Sequence, residues 1–179
     1  MSKAKKLKEL LNSGTAPIAI GVYDGISARL AQSVGFSVAL MSGYGVSGSV
    51  LGMPDYGLVT MSEMCVMVRN LTKILDIPLI ADADTGYGNP LNVRRTVMEY
   101  ETAGAAAIQL EDQIFPKRCG HMDGKHVIPT LEHCRKIEIA AESREEMLIL
   151  ARSDARATDG INEAIKRVNE YHKAGADFV

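Results

Sequence analysis

Asp82 and Asp84, in ADADTGYG, stand two residues apart at the end of a short apolar run. In extended backbone that spacing sends both carboxylates off one face. Glu111 and Asp112 hold the same place at the end of the next apolar run. Three or four acids meeting at one mouth repel one another unless a divalent cation neutralises them, and an all-oxygen shell suits Mg²⁺ or Mn²⁺. The same acids could instead form ordinary salt bridges with Arg152 and Lys117. Arg152, in ARSDAR, ends a further run; its guanidinium is suited to gripping a substrate carboxylate through two parallel hydrogen bonds, or to a structural pairing with Asp84 or Asp154.

Two other segments carry chemistry. PKRCGHMDGK (116–125) is too polar and glycine-bearing for a regular element. In it Cys119 lies between Lys117, Arg118 and His121, an electropositive setting that favours thiolate and makes the cysteine a candidate proton donor or acceptor. Zinc is the competing use of Cys119, His121, His126, His133 and Cys134, but their spacing matches no common zinc knuckle. Cys65 and Cys134 fall on helical apolar stripes and read as core. Gly43, Gly45 and Gly48 in GYGVSG match a dinucleotide fingerprint, yet Gly52, Pro54 and Gly57 follow and no apolar stripe begins before Met61, so the required helix is not expected. A glycine-rich loop offering the backbone N–H groups of Ser42 and Gly43 to an anion is the preferred reading.

These residues need a scaffold, and the pattern supplies one. Apolar runs at 18–22, 37–41, 78–81, 106–110, 147–151 and 176–179 alternate with helical stripes, the mark of a parallel α/β fold whose strands are covered on both faces. Thr60 with Glu63 forms a capping box, Asn89–Pro90 opens a helix that closes at Gly104, and Gly175 ends a stripe beginning at Ile161. Residues 2–12 read as an additional N-terminal helix whose lysines form a solvated face. RRTVMEYETAGAAAI (94–108) is echoed by IKRVNEYHKAGADFV (165–179) two units later. A unit of about 35 residues suits a (β/α)8 TIM barrel, of which residues 1–179 would hold, as a single incomplete domain, the N-terminal helix and about five and a half βα units. Open apolar sheet edges predict that residues 1–179 alone associate, bind Mg²⁺ weakly and turn over no substrate.

Composition narrows the partners. A formal charge of -2 with 46% apolar residues gives no footprint for nucleic acid. No apolar run is long enough to span a bilayer and the first residues lack a signal-peptide core, so the expected location is cytoplasmic, with the three cysteines reduced.

Taken in order, SGYGVSG, LGMPDYG, DADTGYGN, QLEDQ, KRCGH and ILARSDA resemble the isocitrate lyase and phosphoenolpyruvate mutase superfamily. The likeness runs from about Ile18 to Val179. It implies a (β/α)8 barrel that binds Mg²⁺ and a small α-keto or α-hydroxy acid, acting through an enolate. By motif, Asp82 and Asp84 match the metal shell, with Glu111 and Asp55 as outer partners acting through water. Ser42, Gly43 and Arg152 match the substrate carboxylate site, with Tyr44, Gly120 and His121 beside it, and Lys117 to His121 match a mobile gating loop. The cysteine at 119 resembles that of lyase members, where it protonates the carbanion released on C–C cleavage; Tyr44 is a candidate for the hydroxyl proton. The position two before the loop serine is Leu40, where isocitrate and methylisocitrate lyases carry tyrosine. The continuation HMDGKHVIP is closer to the 2,3-dimethylmalate lyase and petal-death branch. A second metal-side glutamate is expected just past Val179. The expected activity is therefore a Mg²⁺-dependent lyase acting on a 2-hydroxy di- or tricarboxylate of dimethylmalate or methylisocitrate type, in a homo-oligomer that the resemblance makes a tetramer. The alternatives are an oxaloacetate decarboxylase or hydrolase, a carboxyvinyl-carboxyphosphonate phosphorylmutase, or an inactive homologue.

Overall fold

Well-marked ends cut the chain into alternating helices and strands. The computed structural model describes residues 1–179 and runs α1 (Lys3–Leu11), β1 (Ala19–Val22), α2 (Gly25–Ser33), β2 (Val38–Met41), α3 (Gly43–Val46), α4 (Met61–Ile74), β3 (Leu79–Asp82), α5 (Pro90–Thr102), β4 (Ala107–Glu111), α6 (Thr130–Ser143), β5 (Leu148–Arg152), α7 (Ala155–Thr158) and α8 (Ile161–Lys173). Thr60 and Asn89 close capping boxes with Glu63 and Asn92, and Pro90 sits in the first turn of α5, as their spacing predicts. A single parallel bridge between Leu150 and Phe178 marks the place expected for a sixth strand.

Two expectations need correction. A helix does open at Gly43: α3 is capped by the Ser42 side chain and continues as a π turn over Ser47–Leu51 before Gly52 ends it in the left-handed region. The N-terminal lysines are not all solvated, because Lys3 Nζ donates to the carbonyls of Thr72 and Leu75, each at 2.6 Å. That ammonium satisfies carbonyls left open at the end of α4, where the helix dipole also favours a positive charge.

The five strands are parallel and ordered β1-β2-β3-β4-β5, each beside its sequence neighbour. This is the winding of a (β/α)8 barrel; a doubly wound sheet would reverse direction partway. Side chains alternate across each strand. One face carries Met41, Leu79, Ala81, Ile108, Leu110, Ile149 and Ala151 into the main core beneath the helices, with Val68, Leu71, Val97 and Tyr100 packed against them. The opposite face carries Val38, Ile80, Ala107 and Leu148 into a smaller cluster, plugged at the N-terminal end of the strands by Leu7 of α1. The same alternation then fixes the site. Residues in step with Ile80, Ala107 and Leu148 toward the C-terminal ends are Asp82, Gln109, Glu111 and Arg152, and the register aligns Asp82 with Gln109 and Glu111 with Arg152.

Behind β4 and β5, α6 and α8 bury His133, which is fully enclosed and meets the Tyr171 ring edge-on at 4.5 Å. Burial pushes the His133 imidazole well below its usual value; Asp112 opposes this, while Lys136 and Arg167 add to it. Folding therefore keeps His133 neutral where the unfolded chain would protonate it, so its contribution to stability is complete above pH 6.5 and declines as pH falls through that value. Urea unfolding of wild type and His133→Phe at pH 7.5, 6.0 and 5.0 should differ in slope, wild type losing up to about 1.4 kcal/mol more per pH unit below 6.5. Identical slopes would show that His133 takes up its proton in the folded state.

Candidate active site at the strand ends

The turn that follows β3 is held from three sides. Tyr100, fully buried in α5, donates its hydroxyl to the Asp82 carbonyl at 3.1 Å. Lys136 from α6 donates to the Thr85 carbonyl at 3.0 Å. The Glu111 N–H reaches the Asp84 carbonyl at 2.9 Å. Within the turn the Asp84 N–H donates to Asp82 Oδ1 at 3.1 Å, which settles Asp84 at φ +49°, a left-handed conformation that aspartate tolerates better than most residues. Asp82 also accepts the Gly43 N–H at 3.1 Å, and a Cβ on Gly43 would lie 2.8 Å from the same oxygen. Glycine is required there for β2 and β3 to approach.

A cleft of about 340 Å³ opens at this mouth, lined by Ser42, Tyr44, Asp55, Asp82, Glu111, Lys117, Cys119, Gly120, His121 and Arg152. Ten of the twelve positions that the resemblance assigns to the site line it, and the other two, Asp84 and Gly43, pair with the lining residues Lys117 and Asp82. Its charges are dense and buried. Lys117 Nζ lies 2.6 Å from Asp55 Oδ2 and 2.8 Å from Asp84 Oδ1, with all three side chains almost completely enclosed. Arg152 bridges Glu111 at 3.3 Å and Asp154 at 2.9 Å. The salt-bridge alternative is therefore realised, without consuming every acid. Burial and the neighbouring Asp82 raise Glu111 to about 9, and the same two causes raise Asp84 against the pull of Lys117. Burial works against the Lys117 charge, yet Asp84 and Asp82 hold its ammonium above the ordinary lysine value.

Cys119 forms part of the cleft wall and is almost fully buried. Its Sγ lies 3.4 Å from His121 Nδ1, its N–H donates to the Asp55 carbonyl at 3.0 Å, and His121 meets the Tyr44 ring edge-on at 6.5 Å. Gly120 lies against Arg152: a Cβ there would sit 2.5 Å from Nη2.

Two sequence expectations change, and the core reading of Cys134 does not. The Ser42 N–H is used by the Val22 carbonyl and the Gly43 N–H by Asp82, so neither backbone donor is open to an anion; the Ser42 hydroxyl accepts from the Gly45 N–H and keeps its own proton. Asp112 does not join the mouth. Its side chain points the other way from Glu111, as alternation along β4 requires, and accepts from Ser153, Tyr171, Arg167 and the Asp154 N–H. His133 and Cys134 belong to α6 and its core contacts, away from the cleft. Gln113 went unrecognised, although it lies within a quoted motif, because its value depends on partners elsewhere in the fold, and Asp154 was named only as a partner for Arg152, not for Gln113.

The buried triad makes a direct prediction. Lys117→Met leaves Asp55 and Asp84 facing each other without a cation and should destabilise the fold by about 3–5 kcal/mol in urea unfolding. Adding Asp55→Asn should recover a large part of that loss. A single variant as stable as wild type would show that the triad does not carry net charge in the folded protein.

Comparison with known proteins agrees with this geometry. The family model for phosphoenolpyruvate phosphomutase matches residues 7–179. The 2,3-dimethylmalate lyase of Eubacterium barkeri is 46% identical over 181 residues, covering 100% of this chain and 63% of that protein. A 2-methylisocitrate lyase of Aeropyrum pernix is 45% identical, covering 97% of this chain and 56% of its own length. A crystal structure of 2,3-dimethylmalate lyase, described as a PEP mutase/isocitrate lyase superfamily member, superposes with a TM-score of 0.94 at 38% identity, over 99% of this chain and 61% of that one. Phosphonopyruvate hydrolase in complex with oxalate and Mg²⁺ superposes with a TM-score of 0.90 at 36% identity, over 99% of this chain and 62% of that one. The chain thus spans roughly three fifths of the length of these relatives. With its barrel-type winding, its acidic mouth and its match over residues 7–179, the chain belongs to the phosphoenolpyruvate phosphomutase family, within the PEP mutase/isocitrate lyase superfamily.

Proposed function

We propose that the protein is a divalent-metal-dependent carbon–carbon lyase acting on a 2-hydroxy dicarboxylate or tricarboxylate of dimethylmalate or methylisocitrate type. The observation that carries this is the placing of a buried cysteine beside an exposed histidine, a guanidinium and an acidic cluster around one cleft of about 340 Å³. Relatives named as lyases of 2,3-dimethylmalate and 2-methylisocitrate support the substrate class.

The residues fit a divalent cation. Glu111 Oε1 is buried with no hydrogen-bond partner, Asp84 Oδ1 meets Lys117 outside hydrogen-bond geometry, and the donors are all carboxylate oxygens. Five carboxylates, Asp55, Asp82, Asp84, Glu111 and Asp154, share two cations, Lys117 and Arg152. No three of the mouth's side chains close on a single point. The all-carboxylate donor set is what supports Mg²⁺, which takes one or two carboxylates directly and keeps several waters, with Mn²⁺ as a substitute. Asp82 and Asp84 would hold it, with Glu111 and Asp55 acting through water. Bound there, the ion would polarise the oxygen that becomes the α-keto carbonyl.

The chain's own groups supply the rest. Arg152 holds a substrate carboxylate, its guanidinium aimed by Asp154 and kept clear by the missing side chain of Gly120. The Ser42 hydroxyl contributes its proton to the same end. As the hydroxyl loses its proton and its oxygen becomes the carbonyl, the carbon–carbon bond breaks and its electron pair stays on the departing fragment, on the carbon next to that fragment's carboxylate. Cys119 then delivers a proton to that carbon, and His121 lies where it can restore the thiol. Tyr44, on the cleft lining beside His121, is assigned the hydroxyl proton, giving up its own phenolic proton to His121 as it does so, and the buried Lys117 offsets part of the repulsion within the acidic mouth. The cytoplasmic, homo-oligomeric state belongs to the same proposal and rests on the resemblance; no helix is long and apolar enough to cross a membrane.

Incubation with 2,3-dimethylmalate, methylisocitrate, isocitrate, oxaloacetate and phosphonopyruvate tests the reaction. Turnover of a 2-hydroxy acid that stops in excess EDTA and returns with Mg²⁺ is expected; full activity in EDTA refutes the metal. Hydrolysis of oxaloacetate alone would place the protein with oxaloacetate acetylhydrolase, to which it is also similar, at 40% identity and a TM-score of 0.92.

Cys119→Ser should bind substrate nearly as well as wild type and lose about 10²- to 10⁴-fold in kcat, the usual cost of removing a general acid. Unchanged kcat would remove Cys119 from the mechanism. Gly120→Ala should fold normally, since Gly120 does not use a positive φ, and should raise KM at least tenfold by displacing Arg152. An unaltered KM would mean that Arg152 does not grip the substrate.

A further inference from the structure

The segment from Phe115 to Lys125 leaves the sheet and returns to it. At its base Gln113 and Val127 form an antiparallel bridge, with the Ile114 N–H on the His126 carbonyl at 2.8 Å. Inside the excursion Lys125 Nζ ties the carbonyls of Gly120 and Met122, at 2.6 and 2.7 Å. Those bonds shape the loop internally and fix nothing to the barrel. The Gln113 side chain does. It is 1% exposed and every polar bond it makes spans loop and strand ends: Oε1 accepts the Arg118 N–H at 3.0 Å, while Nε2 donates to the Arg118 carbonyl at 2.9 Å and to Asp154 Oδ2 at 3.1 Å. The other oxygen of Asp154 takes Arg152 Nη2 at 2.9 Å.

One buried amide therefore joins the backbone beside Cys119 to the carboxylate that aims Arg152. We infer that Gln113 is a positioning residue, a latch that holds the loop carrying Cys119 closed over the cleft in register with Arg152. The inference deepens the proposed lyase reading, in which those two side chains act on opposite ends of one substrate. The chemistry explains why an amide stands there. A glutamate would keep the acceptor for Arg118 but lose both donors and set its charge against Asp154. An apolar residue would leave the Arg118 N–H and carbonyl without their partners at a part-buried contact.

Thiol labelling tests the latch without needing turnover. The full-length protein, as wild type, Gln113→Ala and Gln113→Glu, is treated with iodoacetamide under native conditions, and the rates at Cys119, Cys65 and Cys134 are followed by peptide mass spectrometry. Cys119 should label at least tenfold faster in both variants, with Cys65 and Cys134 within twofold of wild type. Cys119 unchanged in both variants overturns the latch. So does equal acceleration of all three cysteines in both, since Gln113 would then serve the fold as a whole; the isosteric Gln113→Glu guards against alanine merely loosening the domain. Where wild type cleaves its substrate, kcat should fall at least tenfold with KM within threefold, and an unchanged kcat also overturns the positioning role. Accelerated labelling in a protein that cleaves none of the tested acids would leave the latch standing and defeat only the proposed reaction.

Discussion

Crowding of carboxylates in a place that excludes water is the constraint from which the rest of the site follows. Alternation along parallel strands sends Asp82 and Glu111 to one face, and the turn after β3 adds Asp84. Burial and the neighbouring Asp82 charge raise Glu111 and Asp84 above the usual carboxylate range. Lys117 and Arg152 offset part of that repulsion. They do so by pairing with Asp55, Asp84, Glu111 and Asp154, and these pairs in turn decide where the loop and the end of β5 can lie. After both cations have been placed, Glu111 Oε1 remains buried without a hydrogen-bond partner, which is the observation on which the proposed cation rests.

Such a mouth demands rigid support, and the helices supply it with polar groups taken from the core. Tyr100 and Lys136 hold carbonyls of the β3 turn from α5 and α6. Asp112, turned away from the cleft, gathers Ser153, Tyr171, Arg167 and the Asp154 N–H, so the strand that carries Glu111 also fixes the segment beyond Arg152. Adjacent residues thus serve opposite purposes: Glu111 faces the reacting end of the sheet and Asp112 anchors the backbone behind it. Buried polar networks of this kind hold one geometry because any departure leaves a group unpaired in a low-dielectric interior.

The loop adds a thiol and an imidazole to the acidic mouth. Cys119 is buried on the cleft wall beside His121, and its N–H is tied to Asp55, whose carboxylate meets Lys117. Loop position and charge balance are consequently linked through the same few residues. Gly120 contributes by omission, since any side chain there would occupy the place of the Arg152 guanidinium.

Local signals alone determined much of this. The capping boxes at Thr60 and Asn89, the Pro90 start of α5, the apolar runs of the strands and the close of α8 near Gly175 are set within a few residues of chain, so they were legible without a fold. Asp82, Glu111 and Arg152 were legible as well, because a period of two and a shared place at strand ends suffice to bring them together. The sequence did not reveal that a short helix opens at Gly43, that the Ser42 and Gly43 N–H groups are spent internally, or that Asp112 turns away. Nor did it reveal Gln113 and Asp154 as partners, or Lys3 as the cap of α4. The helix at Gly43, capped locally by Ser42, and the direction of Asp112, set by strand alternation, are local. The others depend on contacts between residues far apart in the chain, and such contacts are chosen by packing: only when the strands are in register and the helices are laid against them does a donor find its acceptor.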